Sequence, residues 1–182
     1  RSFAVTLRIM MTTPHLGERG VHPIVAQAAR ELLNKSENER SGVLSTAMSF
    51  LSLYRDPVIA EITSRSDWRI EDLVEEESPL SLYLVVPPSD LSRTKPLIRL
   101  ILNQIGRRLT EDLPEKNRRK LLFMLDEFPA LGRLDFFESS LAFMAGYGIR
   151  AFLIAQSLNQ VEKAYGQNNS ILDNCHVRIA FA

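Results

Sequence analysis

Hydrophobic and polar positions change rhythm partway along the chain. Ile24, Ala28 and Leu32 recur at four-residue spacing behind Pro23, whose fixed φ suits the first turn of a helix. Val43, Ala47, Phe50, Leu51 and Tyr54 follow at three- and four-residue spacing and predict a second helix with one apolar face. Asp56 before Pro57 has the form of an N-cap and first helical position, predicting a third, short helix. The opening apolar stretch from Phe3 to Met11 does not choose between helix and strand. Together these elements predict a small helical module.

From Pro79 short apolar runs alternate with helical stretches, the pattern of a parallel sheet buried on both faces. Residues 82–86 read as a strand ended by Pro87 and Pro88. Leu97, Ile98, Ile101, Leu102, Ile105 and Leu109 share a helix face. Residues 121–125 form a second strand, Asp135 with Glu138 a capping box for a helix through Met144, and residues 150–155 a third strand. Residues 157–165 and 170–175 read as short helices, and 176–182 as a last strand. The expected fold class is therefore α/β, with a helical domain over residues 1–78 and part of a parallel-sheet core over 79–182. The acidic run Glu71, Asp72, Glu75, Glu76 and Glu77 reads as a solvated connector, the alternative being a partner-binding segment. There is no internal repeat or low-complexity segment.

Composition narrows the class. At 182 residues, 45% hydrophobic and 24% charged, the chain has material for one globular core or a domain with a smaller insertion, which excludes disorder, collagen and a small disulfide scaffold. Lysine plus arginine and aspartate plus glutamate both number 22, so an anionic partner must be met by a local patch. The stretch from Leu91 to Lys120, rich in arginine and lysine, is such a patch or simply a solvated face. Cys175 is the only cysteine, which precludes an internal disulfide and fits a reducing compartment. His15, His22 and His176 are too scattered to suggest a metal site, there is no G-x-S-x-G elbow, and no apolar run approaches a membrane span. A start at Arg1 and a final strand without a terminating turn lead us to expect a soluble fragment of a longer protein.

The chemistry concentrates in Leu121-Leu122-Phe123-Met124-Leu125-Asp126-Glu127. Two carboxylates at the C-terminal end of a buried parallel strand stand where open α/β sheets bind ligands, and this is the form of a nucleotide-hydrolysis strand. One carboxylate would hold magnesium and the other polarise the attacking water, their separation coming from the alternation of an extended backbone. A buried strand that simply ends in polar residues fits the same letters. Gln156 ends the next strand, where its amide would reach the same sheet edge and sense a terminal phosphate, or else cap the following helix. The phosphate loop G-x-x-x-x-G-K-[ST] does not occur, since none of the eight glycines precedes a lysine.

Asp126-Glu127-Phe128-Pro129-Ala130-Leu131-Gly132, followed about thirty residues from the aspartate by Ile154-Ala155-Gln156-Ser157-Leu158-Asn159-Gln160, resembles the TraG-like type IV secretion coupling proteins. Met144 to Arg150 adds to the likeness, which runs from about His22 to the end, and residues 64–73 look like the family's helical insertion rejoining the core. The resemblance implies a RecA-like core with an inserted all-helical domain. It further implies a membrane-anchored, homo-hexameric ATPase at the cytoplasmic face of the bacterial inner membrane. That enzyme would pass single-stranded DNA with its relaxase into a secretion channel, with relaxosome proteins and channel components as partners. By motif position Asp126 would hold Mg2+ of Mg-ATP through water, Glu127 would activate water and Gln156 would sense phosphate. An arginine from a neighbouring subunit is expected, with Arg150, Arg133 and Arg178 as unresolved candidates. The membrane segment and phosphate loop would lie before Arg1, leaving this chain inactive alone. The alternatives are a non-catalytic docking module for relaxosome proteins or DNA, and a related DNA translocase or helicase.

Overall fold

A computed structural model describes residues 2–75, 77–114 and 118–181. Arg1, Glu76 of the acidic run, Glu115 and Lys116 of the basic stretch, and Ala182 of the expected last strand lie outside the described residues. The chain divides into two compact units, Arg1–Ser64 and Arg65–Ala182, a break earlier than the boundary expected at residue 78.

The first unit holds only helices and turns among its described residues. The ambiguous opening stretch is helix α1 (Phe3–Thr12), packed on α2 (Pro23–Asn34), which starts at Pro23 as its sequence predicts. The second predicted helix is α3 (Glu37–Phe50), opened by a complete capping box in which Ser36 and Glu39 satisfy each other's backbone N–H groups. α4 (Pro57–Ile62) begins where Asp56 Oδ1 accepts the Val58 and Ile59 N–H groups. The apolar face of Val43, Ala47, Phe50 and Leu51 is exposed and α3 buries no residue, since helical spacing records amphipathicity and not a surface to pack on.

In the second unit the acidic run is structured rather than a solvated connector. It includes the short α5 (Asp72–Glu75), which turns Leu73 and Val74 into the core, while Arg69 binds Asp72 and Arg108 binds Glu71. Apolar residues interrupting the acids supply the burial that charge counting overlooks. α6 (Leu91–Arg108) buries Leu102 and Ile105 on the predicted face. Strand β1 (Leu121–Leu125) pairs in parallel with β2 (Ile149–Leu153), Leu121 opposite Ile149 and Leu125 opposite Leu153. The connection is α7 (Asp135–Met144) and a tight turn in which Gly148, at φ 75°, takes the left-handed conformation that delivers the chain into β2. α8 (Leu158–Tyr165) follows.

The core gathers Leu109, Phe123, Leu134, Phe137, Met144 and Ile149, with Phe123 and Phe137 meeting edge to face at 5.9 Å. Only this face of the strand pair is covered among the described residues. Leu122, Met124 and Phe152, on the other face, are exposed, so the expected burial on both faces is met on one.

Four more expectations are corrected. Residues 82–86 and 176–181 form no strand, and Tyr83, Val85, Val177, Ile179 and Phe181 are exposed. An apolar run expresses a tendency to be buried but pairing requires a neighbouring strand, and these segments find none among the described residues. Residues 170–175 make turns and no helix: the Asn174 backbone N–H and side-chain amide both donate to the Ser170 carbonyl, and the next bond, from the Cys175 N–H to the Leu172 carbonyl, tightens the chain and ends the turn. The capping box of Asp135 and Glu138 does not form. Asp135 lies inside the helix beyond Leu134, and Glu138 is drawn to Arg133 at 3.1 Å and to the Ser170 N–H at 3.3 Å.

Candidate functional site

β1 ends at Leu125, but its ladder continues. The Ile154 N–H donates to the Leu125 carbonyl at 3.0 Å, and the Phe128 N–H donates to the Ile154 carbonyl at 3.2 Å. Asp126 and Glu127 are thus looped out between two bonds to one residue. Glu127 makes this possible with a left-handed backbone, φ 49° and ψ 37°, the only such non-glycine residue among those described. That conformation costs about 1 kcal/mol and must be held by its surroundings. Phe128 and Pro129 hold it. Both are buried, and Phe128 packs with Val161, Tyr165 and Ile171, its ring centroid 5.8 Å from that of Tyr165.

The two carboxylates are therefore separated by this turn and not by strand alternation, because extended geometry stops at Leu125. Asp126 Oδ1 accepts the Glu127 N–H at 3.0 Å, and Asp126 is exposed. Gln156, three residues beyond β2, donates from Nε2 to Glu127 Oε1 at 2.6 Å across 29 residues of sequence. The sequence pattern had placed these groups at one sheet edge, and the structure brings Glu127 and Gln156 into contact with Asp126 beside them.

The capping alternative for Gln156 goes to its neighbours. Ser157 caps α8, its Oγ accepting the Gln160 N–H at 3.4 Å, and Gln160 Oε1 accepts the Gln156 N–H at 3.1 Å. Gln160 had no role in the sequence reading, although Ser157-x-x-Gln160 has the spacing of a capping box.

The arginine candidates are dispersed. Arg133 pairs with Asp135 and Glu138, Arg178 donates to the carbonyls of Leu172 and Cys175, and Arg150 is exposed on β2 opposite Leu122. Much of the basic stretch is engaged in this unit's own structure. Arg99 donates to the Leu131 carbonyl at 2.9 Å, Arg107 lies over the Phe136 ring, and Arg108 holds Glu71 and Glu111. Burial pushes the Cys175 thiol and the Tyr165 hydroxyl above their usual ranges, which disfavours the ionised, nucleophilic form of each.

No cluster of three or more histidine, cysteine or acidic side chains that would hold a metal occurs among the described residues. A lone exposed aspartate fits magnesium better than a metal needing a full protein cage, because Mg2+ keeps waters and takes its other ligands from phosphates. No helix among the described residues is long and apolar enough to cross a membrane.

The family described as Type IV secretory system Conjugative DNA transfer matches residues 10–182. Two Escherichia coli proteins named Conjugal transfer protein TraG are each 46% identical, over 170 and 182 residues, covering 88% and 94% of this chain and 27% and 28% of their own length. Protein VirD4 of Agrobacterium fabrum (strain C58) is 38% identical over 136 residues, 72% of this chain and 20% of its own. The chain thus spans about a quarter of the length of these relatives.

Proposed function

The chain belongs to the type IV secretory system conjugative DNA transfer family, and from that premise we propose that it carries the catalytic carboxylates of an ATP-driven DNA-transfer motor. The observation that supports this most directly is the Gln156 amide seated on Glu127 at the C-terminal end of a parallel strand pair, with Asp126 adjacent.

Glu127 is the general base in this reading. Its carboxylate sits on a turn anchored by buried Phe128, and it orients the attacking water and takes its proton. Gln156 contacts the same carboxylate, so an amide that exchanges Glu127 for a terminal phosphate oxygen reports which nucleotide is present. Asp126 is the residue that would hold Mg2+, through water, and that ion would neutralise charge on the phosphate oxygens. The phosphate loop, a RecA-like core completing this strand pair, a hexamer and a membrane anchor at the bacterial inner membrane belong to the longer protein in this reading. Its substrates are ATP and single-stranded DNA with bound relaxase, delivered to a type IV secretion channel.

The test is magnesium-dependent ATP turnover by the longer protein with and without single-stranded DNA. Stimulation by DNA supports the motor. No turnover by a folded, assembled protein would return Asp126 and Glu127 to being the polar end of a strand.

A further inference from the structure

A second glutamine enters the site through the backbone. In the capping box of α3, the Glu39 side chain returns to the N–H of the cap residue itself, Ser36, at 3.0 Å. The first turn of α8 is built differently. Ser157 is the cap, and its Oγ accepts the Gln160 N–H as usual, but Gln160 Oε1 passes over the cap residue and accepts the N–H of Gln156 at 3.1 Å. The residue so held is the one whose side chain donates to Glu127 Oε1 at 2.6 Å.

The connection between Gln156 and α8 is thereby made stiff at both ends. α8 is fixed by Val161 and Tyr165, which are buried with Phe128, the residue following Glu127. Gln160 therefore refers the Gln156 backbone to the same packed cluster that fixes the Glu127 turn. Gln156 is otherwise exposed and lies past the paired strand, where nothing in an extended chain fixes the direction of its side chain.

We propose that Gln160 is a positioning residue for the nucleotide-sensing amide of Gln156, rather than an ordinary helix cap. This rests on the reading of Asp126, Glu127 and Gln156 given above. Loss of the Gln160 acceptor leaves the fold intact but lets Gln156 leave the direction in which it distinguishes ATP from ADP.

The experiment uses the full-length assembled protein carrying Gln160→Met, which keeps side-chain length and helix propensity but removes the acceptor, and Gln160→Glu, which restores one. Titration with a fluorescent non-hydrolysable ATP analogue and with fluorescent ADP, in magnesium, gives the preference between them, and steady-state turnover gives kcat and KM. Gln160→Met is expected to shrink the preference and to lower kcat about tenfold, with KM moving less and the melting temperature little changed. Gln160→Glu is expected to recover most of both. Gln156→Ala should show the same losses, and adding Gln160→Met to it should change nothing further. A wild-type preference and kcat in Gln160→Met, or full additivity with Gln156→Ala, overturns the proposal. If Glu127→Gln hydrolyses ATP normally, the reading of the site fails and this inference with it. If Glu127→Gln is inactive while Gln160→Met behaves as wild type, the inference alone fails.

Discussion

The carbonyl of Ile154 accepts the Phe128 N–H at 3.2 Å, so the strand ladder resumes beyond the acidic pair that interrupts it. This bond loops Asp126 and Glu127 out of the sheet edge and forces Glu127 into its left-handed backbone. The strain is balanced by burying Phe128, so the core and the site are coupled at adjacent residues.

Removing the Phe128 anchor should therefore impair function and stability together. Phe128→Leu, which retains apolar volume but loses the contact with the Tyr165 ring, is expected to destabilise the chain by about 1 kcal/mol or somewhat more. Urea denaturation measures the loss, and an unchanged midpoint would show that the turn is held by other means.

Magnesium dependence separates the two carboxylates. Asp126→Asn in the longer protein should raise the magnesium concentration needed for half-maximal nucleotide binding by about tenfold or more, because a neutral amide attracts the ion's water shell weakly. A wild-type magnesium titration would remove Asp126 from that role.

Gly106 tests the packing of α6 on α7. A helix interior normally gains about 1 kcal/mol from Gly→Ala. Here an added Cβ would lie 2.6 Å from the edge of the Phe136 ring, too close without displacing it, and overpacking of this kind costs about 1–3 kcal/mol. Gly106→Ala should thus be neutral to destabilising, and a clear rise in melting temperature would show that Phe136 moves aside freely.

Acid should loosen the α5 segment first. Hydrogen bonds from Arg108 hold Glu71 below the usual carboxylate range, and the Arg69 backbone N–H and guanidinium do the same for Asp72. Groups whose pKa is depressed by folding stabilise above their unfolded pKa, about 4, and lose that contribution as pH falls through the folded value. Arg108→Ala should flatten the acid limb of a melting-temperature profile while lowering the neutral plateau only slightly, since the pair is partly exposed and screened. An unchanged acid limb would contradict this.

The helices were legible wherever a cap or a proline punctuates them, as at Pro23 and at Asp56 with Pro57. β1 was legible because a five-residue apolar run followed by acids has few other uses, and β2, expected over residues 150–155, lies at residues 149–153. Pairing was not legible, since Tyr83 and Val85 carry the same apolar signal as Phe123 without a neighbouring strand among the described residues. Glu138 was misread because its competition between helix N–H groups and Arg133 is settled only in three dimensions. Glu127's conformation was invisible for the same reason, since it depends on Ile154 arriving beside the turn from about thirty residues away, whereas the reach of Gln160 to the Gln156 N–H is local and departs from the cap residue that its spacing points to.

ATP turnover by the longer protein carrying Glu127→Gln, beside wild type and in the presence of magnesium and single-stranded DNA, decides whether Glu127 is the general base of a DNA-transfer motor. Nucleotide binding is expected to be retained, with turnover reduced about a hundredfold or more, the scale of losing a general base. Normal hydrolysis by that variant would contradict that role.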